Sequence, residues 1–150
     1  MRNHSDIGRY QEMLKLIIGV KGTGKTKTLI NMVNSALEVT KGDVVCMEKG
    51  TKLRYDIKSS ARLVNVDEYM VKDAAALYGF VAGILASNHD VTDLFIDGTL
   101  KICNHDMAAF ETMTERLAKL VEKTGVNLTM TVSMAEGDLP ASVRALAVSA

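Results

Sequence analysis

The sequence has no tryptophan, a single proline, two cysteines and no apolar run long enough to cross a membrane. Cys46 and Cys103 lie far apart, and neither belongs to a paired spacing of the kind that forms zinc sites or disulfide frameworks. Basic and acidic residues number 18 each, so the formal net charge is zero and nothing global attracts nucleic acid or anionic lipid. We expect no membrane contact, no nucleic-acid partner and a reduced, cytoplasmic setting.

The remaining composition is that of one globular domain. The chain has 150 residues, of which 47% are hydrophobic and 24% charged, enough for a single sizeable core. Residues 1–12 are polar without a period, and Met13 directly precedes the first apolar run. We therefore predict a flexible extension or cloning remnant over 1–12, with a short ordered arm as the alternative, and a single domain over 13–150.

One glycine-rich stretch stands out after that apolar run. It fits G-x-x-x-x-G-K-[ST] at every fixed position and lies between a predicted strand and a predicted helix. Glycines allow backbone N–H groups to converge on one anion, and the helix adds its free N–H groups and the positive end of its dipole. We expect phosphate binding by Gly19, Val20, Lys21, Gly22, Thr23, Gly24, Lys25, Thr26 and Lys27.

The last residues of the pattern carry the chemistry. The ammonium of Lys25 can contact the outer phosphates of a nucleoside triphosphate and act in catalysis, and the Thr26 hydroxyl can bind Mg²⁺. ATP and Mg²⁺ are the expected ligands. A glycine-rich turn that binds nothing is the alternative, and the lysine, hydroxyl and flanking elements all argue against it.

The hydrophobic pattern predicts alternating strands and helices. Strands are expected over 14–18, 43–47, 93–97 and 126–133, and helices over 28–40, 73–87 and 106–124. Such alternation predicts an α/β fold: a doubly wound, mostly parallel sheet of about five strands, with helices on both faces.

Three segments need separate interpretation. Alternating apolar residues in 51–66 favour an antiparallel hairpin added to the sheet, with a short helical turn as the alternative. The strict alternation of 126–133 favours a strand with one wetter face near a sheet edge. A last short helix is predicted over 138–147. Gly79 and Gly83 are expected to let their helix pack closely on the sheet, with a partner contact as the alternative.

A triphosphate site needs a carboxylate at a strand end to hold the metal. Asp97 follows an apolar strand of the kind found at the centre of a parallel sheet, and we favour it. Asp67, which is followed by Glu68, is the second candidate. Glu48 and Glu68 are the candidate catalytic bases, because either one could orient the attacking water from a strand end.

Gly19 to Thr26 resembles the phosphate-binding loop of the P-loop NTPase superfamily. Together with Tyr78-Gly79-Phe80-x-x-Gly83 and Phe95-Ile96-Asp97-x-x-x-Lys101-Ile102, the chain also looks like a group of small bacterial ATP-binding proteins without a settled activity. The resemblance implies the P-loop NTPase fold and ATP binding, and it names no reaction.

Three functions remain open from the sequence. The first is a Mg²⁺-dependent ATPase that acts on, or times, a protein partner or a second copy of the chain. The second is a small-molecule or nucleoside kinase, which would need a lid and an acceptor pocket, and no arginine-rich lid segment is evident. The third is a regulatory ATP-binding module with little hydrolysis.

Overall fold

A parallel β-sheet forms the centre of the protein. The computed structural model describes residues 13–149, and six strands of this range pair in the order β3-β2-β4-β5-β1-β6 with every pairing parallel. They are β1 Leu14–Gly19, β2 Asp43–Glu48, β3 Arg62–Asn65, β4 Val91–Ile96, β5 Asn127–Ser133 and β6 Ala147–Ser149.

Helices connect most of the strands. They are α1 Lys25–Val39, α2 Ala74–Ser87, α3 Thr99–Ile102 and α4 Met107–Thr124, and 3-10 turns occur at Leu53–Tyr55, Val66–Tyr69, Glu136–Asp138 and Ala141–Leu146. The Asp106 carboxylate caps α4 by accepting a hydrogen bond from the Ala109 N–H at 3.1 Å. Gly125, in the left-handed region at φ 76°, ends the same helix, as the sequence predicted.

Side chains alternate between the two faces of the sheet. Leu16, Met47 and Met130 belong to a core formed with α2 and α4. Their neighbours Ile17 and Cys46 belong to a second core formed with α1 and the turn at Leu53–Tyr55. Helices therefore cover both faces, and the predicted doubly wound α/β fold is confirmed.

The expected antiparallel hairpin over 51–66 is wrong. Leu53 and Ile57 are buried around a 3-10 turn, while Tyr55 is 75% exposed, so their alternation reflects a turn packed on the core. The following strand β3 pairs with β2 in parallel, from Val45 with Arg62 to Glu48 with Asn65. The short helical turn that the sequence left as the alternative is the one observed.

The predicted place of β5 and the predicted end of the chain also need correction. β5 lies between β4 and β1 at the centre of the sheet, and its Thr129 and Thr131 are 5% and 2% exposed. Its alternation therefore does not mark an edge. The predicted last helix is a 3-10 turn, Ala141–Leu146, followed by β6, which pairs with β1 and makes the sheet one strand larger than expected.

Gly79 and Gly83 do not pack on the sheet, so that expectation is wrong as well. Both are exposed on the outer side of α2, and a Cβ atom at either would meet open space. Leu77, Val81 and Leu85 form the buried side of the helix instead.

The prediction for residues 1–12 lies outside the described residues. Within 13–149, the structure has no helix that combines the length and the apolar character needed to span a membrane.

Candidate phosphate-binding site

A cleft of about 320 Å³ opens where β1 passes into α1, at the carboxyl end of the sheet. Parallel α/β sheets place their ligand sites at this end, because the strand-to-helix loops meet there. The cleft is lined by Lys21, Gly22, Gly24, Lys25, Thr26, Lys27, Asp97, Gly98, Thr131 and Ser133.

The loop needs glycine at Gly22 and Gly24 for one reason and at Gly19 for another. Gly22 and Gly24 have φ values of 89° and 87°, a region that residues with a Cβ atom rarely adopt. Gly24 also directly precedes α1, so the free N–H groups of the helix point toward the cleft. Gly19 is required by close packing, because a Cβ there would clash with the Thr23 hydroxyl.

The carbonyl oxygen of Val20 accepts three hydrogen bonds from residues of the loop. It accepts hydrogen bonds from the Lys25 ammonium at 3.1 Å and from the Thr23 hydroxyl at 2.8 Å. The Thr23 N–H also donates to it, at 3.3 Å. Lys25 is only 7% exposed, so its charge is already held inside the loop at the edge of the cleft. A phosphate oxygen that entered the cleft would compete with this carbonyl for the ammonium.

Asp97 lies opposite the loop and is held by a short chain of hydrogen bonds. The Thr26 hydroxyl is 3.3 Å from each of its carboxylate oxygens, and the Thr131 hydroxyl donates to Oδ1 at 2.7 Å. The Gly98 N–H donates in turn to the Thr131 oxygen at 2.7 Å. These bonds orient the carboxylate toward the hydroxyl that begins α1.

A hydroxyl and a carboxylate at this separation form a suitable pair of ligands for Mg²⁺. Magnesium prefers hard oxygen ligands, and it usually keeps several waters while binding one or two protein groups and substrate phosphates. Within residues 13–149, no group of three or more histidine, cysteine, aspartate or glutamate side chains could hold a metal by itself. Thr26 and Asp97 therefore fit a metal ion whose remaining ligands would be phosphate oxygens and water.

Asp67 is not brought to the cleft. It lies in the 3-10 turn after β3, and β3 is four strands from β1, roughly 19 Å at the usual spacing of about 4.8 Å. Asp97, at the end of β4, is two strands from β1. Glu68 is exposed beside Asp67 and shares this remote position. The geometry thus favours Asp97 as the metal ligand.

Glu48 is also engaged elsewhere. Its side chain is buried at the end of β2, and Oε2 accepts a hydrogen bond from the Leu53 N–H at 2.8 Å. It does not line the cleft. This carboxylate begins the turn at Leu53–Tyr55, a structural role that sequence reasoning did not assign to it.

The buried Cys46 thiol lies close enough to Asp97 and Glu48 for their charges to affect its pKa. Burial raises its pKa above the ordinary value for a thiol, and the negative charges of Asp97 and Glu48 raise it further. This places a neutral, apolar thiol beneath the carboxyl end of β2 and β4. It acts as a small core residue, as the sequence predicted.

Thr131, Ser133 and Gly98 are the lining residues that sequence reasoning missed. The signal is the alternation of polar residues in β5, which by its pattern alone predicts a wetter strand face near a sheet edge. In the structure the polar side chains of β5 point to the α1 side of the sheet, and those of Thr131 and Ser133 reach the cleft. Polar residues on a central strand indicate a site, since a buried sheet face is otherwise apolar.

No protein-family model matches the chain, and a search of curated proteins finds no match either. The function is therefore inferred from the residues of this cleft and their geometry.

Proposed function

We propose that the protein binds a nucleoside triphosphate, ATP in particular, together with Mg²⁺, and hydrolyses it as a cytoplasmic ATPase that times contact with a protein partner. The observation that carries the proposal is the position of Asp97, 3.3 Å from the Thr26 hydroxyl at the first turn of α1. Two candidate metal ligands therefore lie beside Lys25 and the loop, and this arrangement supports the resemblance to P-loop NTPases.

The charge of the cleft suits a polyphosphate. Of the residues that the structure describes, three lysines, Lys21, Lys25 and Lys27, and one carboxylate, that of Asp97, line it. The free N–H groups of the loop and of the first turn of α1 add donors without negative charge. In the proposed complex, Lys25 leaves the Val20 carbonyl and pairs with the outer phosphates, while Thr26 and Asp97 hold the metal.

Bound Mg²⁺ would neutralise charge between the outer phosphates, and the chain's own residues would orient the reacting groups. In hydrolysis, a water oxygen bonds to the γ-phosphorus, the bond from that phosphorus to the bridging oxygen breaks, and ADP leaves, while the water gives up a proton to a phosphate oxygen or to solvent. Within residues 13–149, Asp97 is the only carboxylate that lines the cleft, and Glu48 is bound to a backbone N–H. No second carboxylate is therefore positioned to orient the water.

This arrangement favours a second candidate, a regulatory ATP-binding module with slow intrinsic hydrolysis. None of the arginines in the described residues lines the cleft, and Arg144 donates to the Leu139 carbonyl instead. A partner protein or a second copy of the chain would then supply the arginine side chain that stabilises the charge of the transition state and accelerates hydrolysis. A kinase receives less support. It would need a lid that closes over the acceptor and brings arginine to the cleft, and no arginine of the described residues lines the cleft.

The test is a titration of the purified protein with ATP and GTP by calorimetry, with Mg²⁺ and with chelator, followed by an assay of phosphate release. Mg²⁺-dependent ATP binding supports the site, and absence of binding to either nucleotide refutes the proposal. Phosphate release without an added acceptor supports the ATPase. Tight binding with negligible release identifies the regulatory module, and ADP formation only with an added nucleoside identifies the kinase.

A further inference from the structure

A second, larger groove lies on the same face of the sheet as the phosphate cleft and shares no lining residue with it. Its volume is about 610 Å³, within the range of roughly 300–1,000 Å³ typical of small-molecule sites. The groove runs between α1 and the strands β1, β5 and β4. Its lining includes two charged, three polar and one aromatic side chain: Lys15, Asp93, Asn31, Asn127, Thr129 and Phe95.

The strand register places two opposite charges on the two sides of this groove. Lys15 of β1 pairs with Thr129 of β5, and Asp93 of β4 pairs with Asn127 of β5. Lys15 and Asp93 are therefore two strand spacings, about 10 Å, apart across the sheet and two residues, about 7 Å, apart along it. The residues of β5 form a polar floor between them.

The two charges of the groove have no ion-pair partner inside the described part of the chain. Lys15 and Asp93 are half-buried, and the salt bridge found within residues 13–149 joins Lys58 and Glu38 instead. Thr129 is 5% exposed and lines the groove between them. A ligand that carries both charges would supply a partner to each side of the groove.

We propose that this groove binds a small zwitterion, a free amino acid or a dipeptide. Its carboxylate pairs with the Lys15 ammonium, and its ammonium pairs with the Asp93 carboxylate. The Thr129 hydroxyl and the amides of Asn31 and Asn127 hydrogen-bond to the atoms between the two charges. Phe95, which is 3% exposed, presents a small apolar surface at the floor.

The site is independent of the proposed nucleotide function. None of its residues lines the phosphate cleft, so it is expected to bind its ligand when Lys25 is replaced by alanine. Failure of nucleotide binding would leave this inference standing, and failure of zwitterion binding would leave the nucleotide proposal standing.

The test uses the full ¹⁵N-labelled chain and a panel of proteinogenic L-amino acids and glycyl dipeptides, with amide shifts measured by NMR. At least one probe should shift resonances of β5 and of the middle of α1, and the two kinds of probe distinguish amino acid from dipeptide. N-acetyl and carboxamide forms of the active probe, each lacking one charge, should bind about tenfold more weakly. Absence of any shift across the panel at millimolar concentration would overturn the proposal.

Variants locate the binding in the groove. Asp93→Asn and Lys15→Gln should each weaken binding about tenfold, because each removes one charged partner without a large change in shape. Asp138→Asn, at an exposed position outside the groove, is the matched control and should bind as the wild type does. The dispersion of the same spectra reports folding, and unchanged affinity in both groove variants would refute the site.

Discussion

The hydroxyl of Thr26 lies 3.3 Å from both carboxylate oxygens of Asp97, although 71 positions separate the two residues in the chain. Thr26 belongs to the first turn of α1, and Asp97 directly follows β4. Their proximity results from the strand order, in which only β5 lies between β4 and β1. The β5 residue Thr131 binds the same carboxylate, so three elements converge on one oxygen site.

Replacement of Asp97 by asparagine should weaken ATP binding in the presence of Mg²⁺ by about tenfold or more. An amide oxygen is a poorer magnesium ligand than a carboxylate, and the loop contacts remain. With chelator present, Asp97→Asn and the wild type should bind ATP with similar affinity. Calorimetry under both conditions measures the difference.

Asp67→Asn is the matched control for that variant. It makes the same chemical change at the end of β3, remote from the cleft, and should leave Mg²⁺-dependent affinity unchanged. A larger loss in Asp67→Asn than in Asp97→Asn would transfer the metal role to Asp67.

Lys25→Ala should reduce ATP affinity by about a hundredfold, because the variant removes the buried ammonium that would pair with the outer phosphates in the proposed complex. Lys41→Ala removes an exposed lysine outside the cleft and should have no effect. Calorimetry on both variants, with thermal unfolding to establish the fold, makes the comparison. Unchanged affinity in Lys25→Ala would show that the cleft is not the nucleotide site.

Glu48 is expected to act in folding. Glu48→Ala leaves the Leu53 N–H without its acceptor and should lower the free energy of unfolding by about 1–3 kcal/mol. Glu48→Gln keeps an oxygen acceptor and should have a much smaller effect on stability and none on ATP turnover. Urea unfolding and phosphate release measure the two properties. A collapse of turnover in Glu48→Gln with intact ATP affinity would instead identify Glu48 as the base.

Two glycine-to-alanine replacements should change stability in opposite directions. A Cβ on Gly42 would collide with the Asp90 carbonyl oxygen, which accepts the Asp43 N–H at 2.8 Å, so Gly42→Ala should destabilise by about 1–3 kcal/mol. Gly79 lies in α2 facing open space, and Gly79→Ala should stabilise by about 0.5–1 kcal/mol. Urea unfolding measures both, and a destabilising Gly79→Ala would contradict the open position of that glycine.

The two buried thiols should make the protein less stable in alkali. Burial, together with the smaller effect of the charges of Asp73 and Asp106, raises the pKa of Cys103 from the ordinary 9.0 to about 12. As pH rises above 9.0, the unfolded chain releases the thiol protons while the folded chain keeps them. The stabilisation is therefore fully present below pH 9.0 and is lost as the pH rises toward 12.

Urea unfolding from neutral pH to about pH 10 should show this loss of stability. Cys103→Ala has one titrating thiol fewer, so its free energy of unfolding should fall less steeply over that interval. An identical slope in the variant and the wild type would contradict the raised pKa. Slow alkylation of both thiols in the folded protein at neutral pH is the accompanying expectation.

Local patterns were sufficient wherever one element's own residues decide its structure. The loop from Gly19 to Thr26, the cap at Asp106 and the stop at Gly125 each depend on contacts within a few residues. Apolar periodicity was sufficient for β1, β2 and β4 and for the three long helices. In all of these, the information lies within one or two turns or one strand.

Long-range packing decided what local patterns left ambiguous. The alternation at Leu53, Tyr55 and Ile57 has the period of a strand, but burial of two of these residues against a 3-10 turn produces the same pattern. By its pattern the alternation at Thr129 and Thr131 is typical of the wetter face of an edge strand. Both residues lie on a central strand, where Thr129 lines the larger groove and Thr131 lines the phosphate cleft. A period of two reports which side chains are buried, and it carries no information on which strand lies alongside.

The amino-acid sequence by itself determined the glycine-rich loop, the α/β class and the two candidate metal acids, since these depend on residue type and local spacing. Only the tertiary structure shows which of the two acids lies beside the loop. Strand order puts Asp97 within reach of Thr26 and places Asp67 two strands farther away. That order depends on how helices cover both faces of the sheet, a cooperative property of the whole core that no single segment encodes.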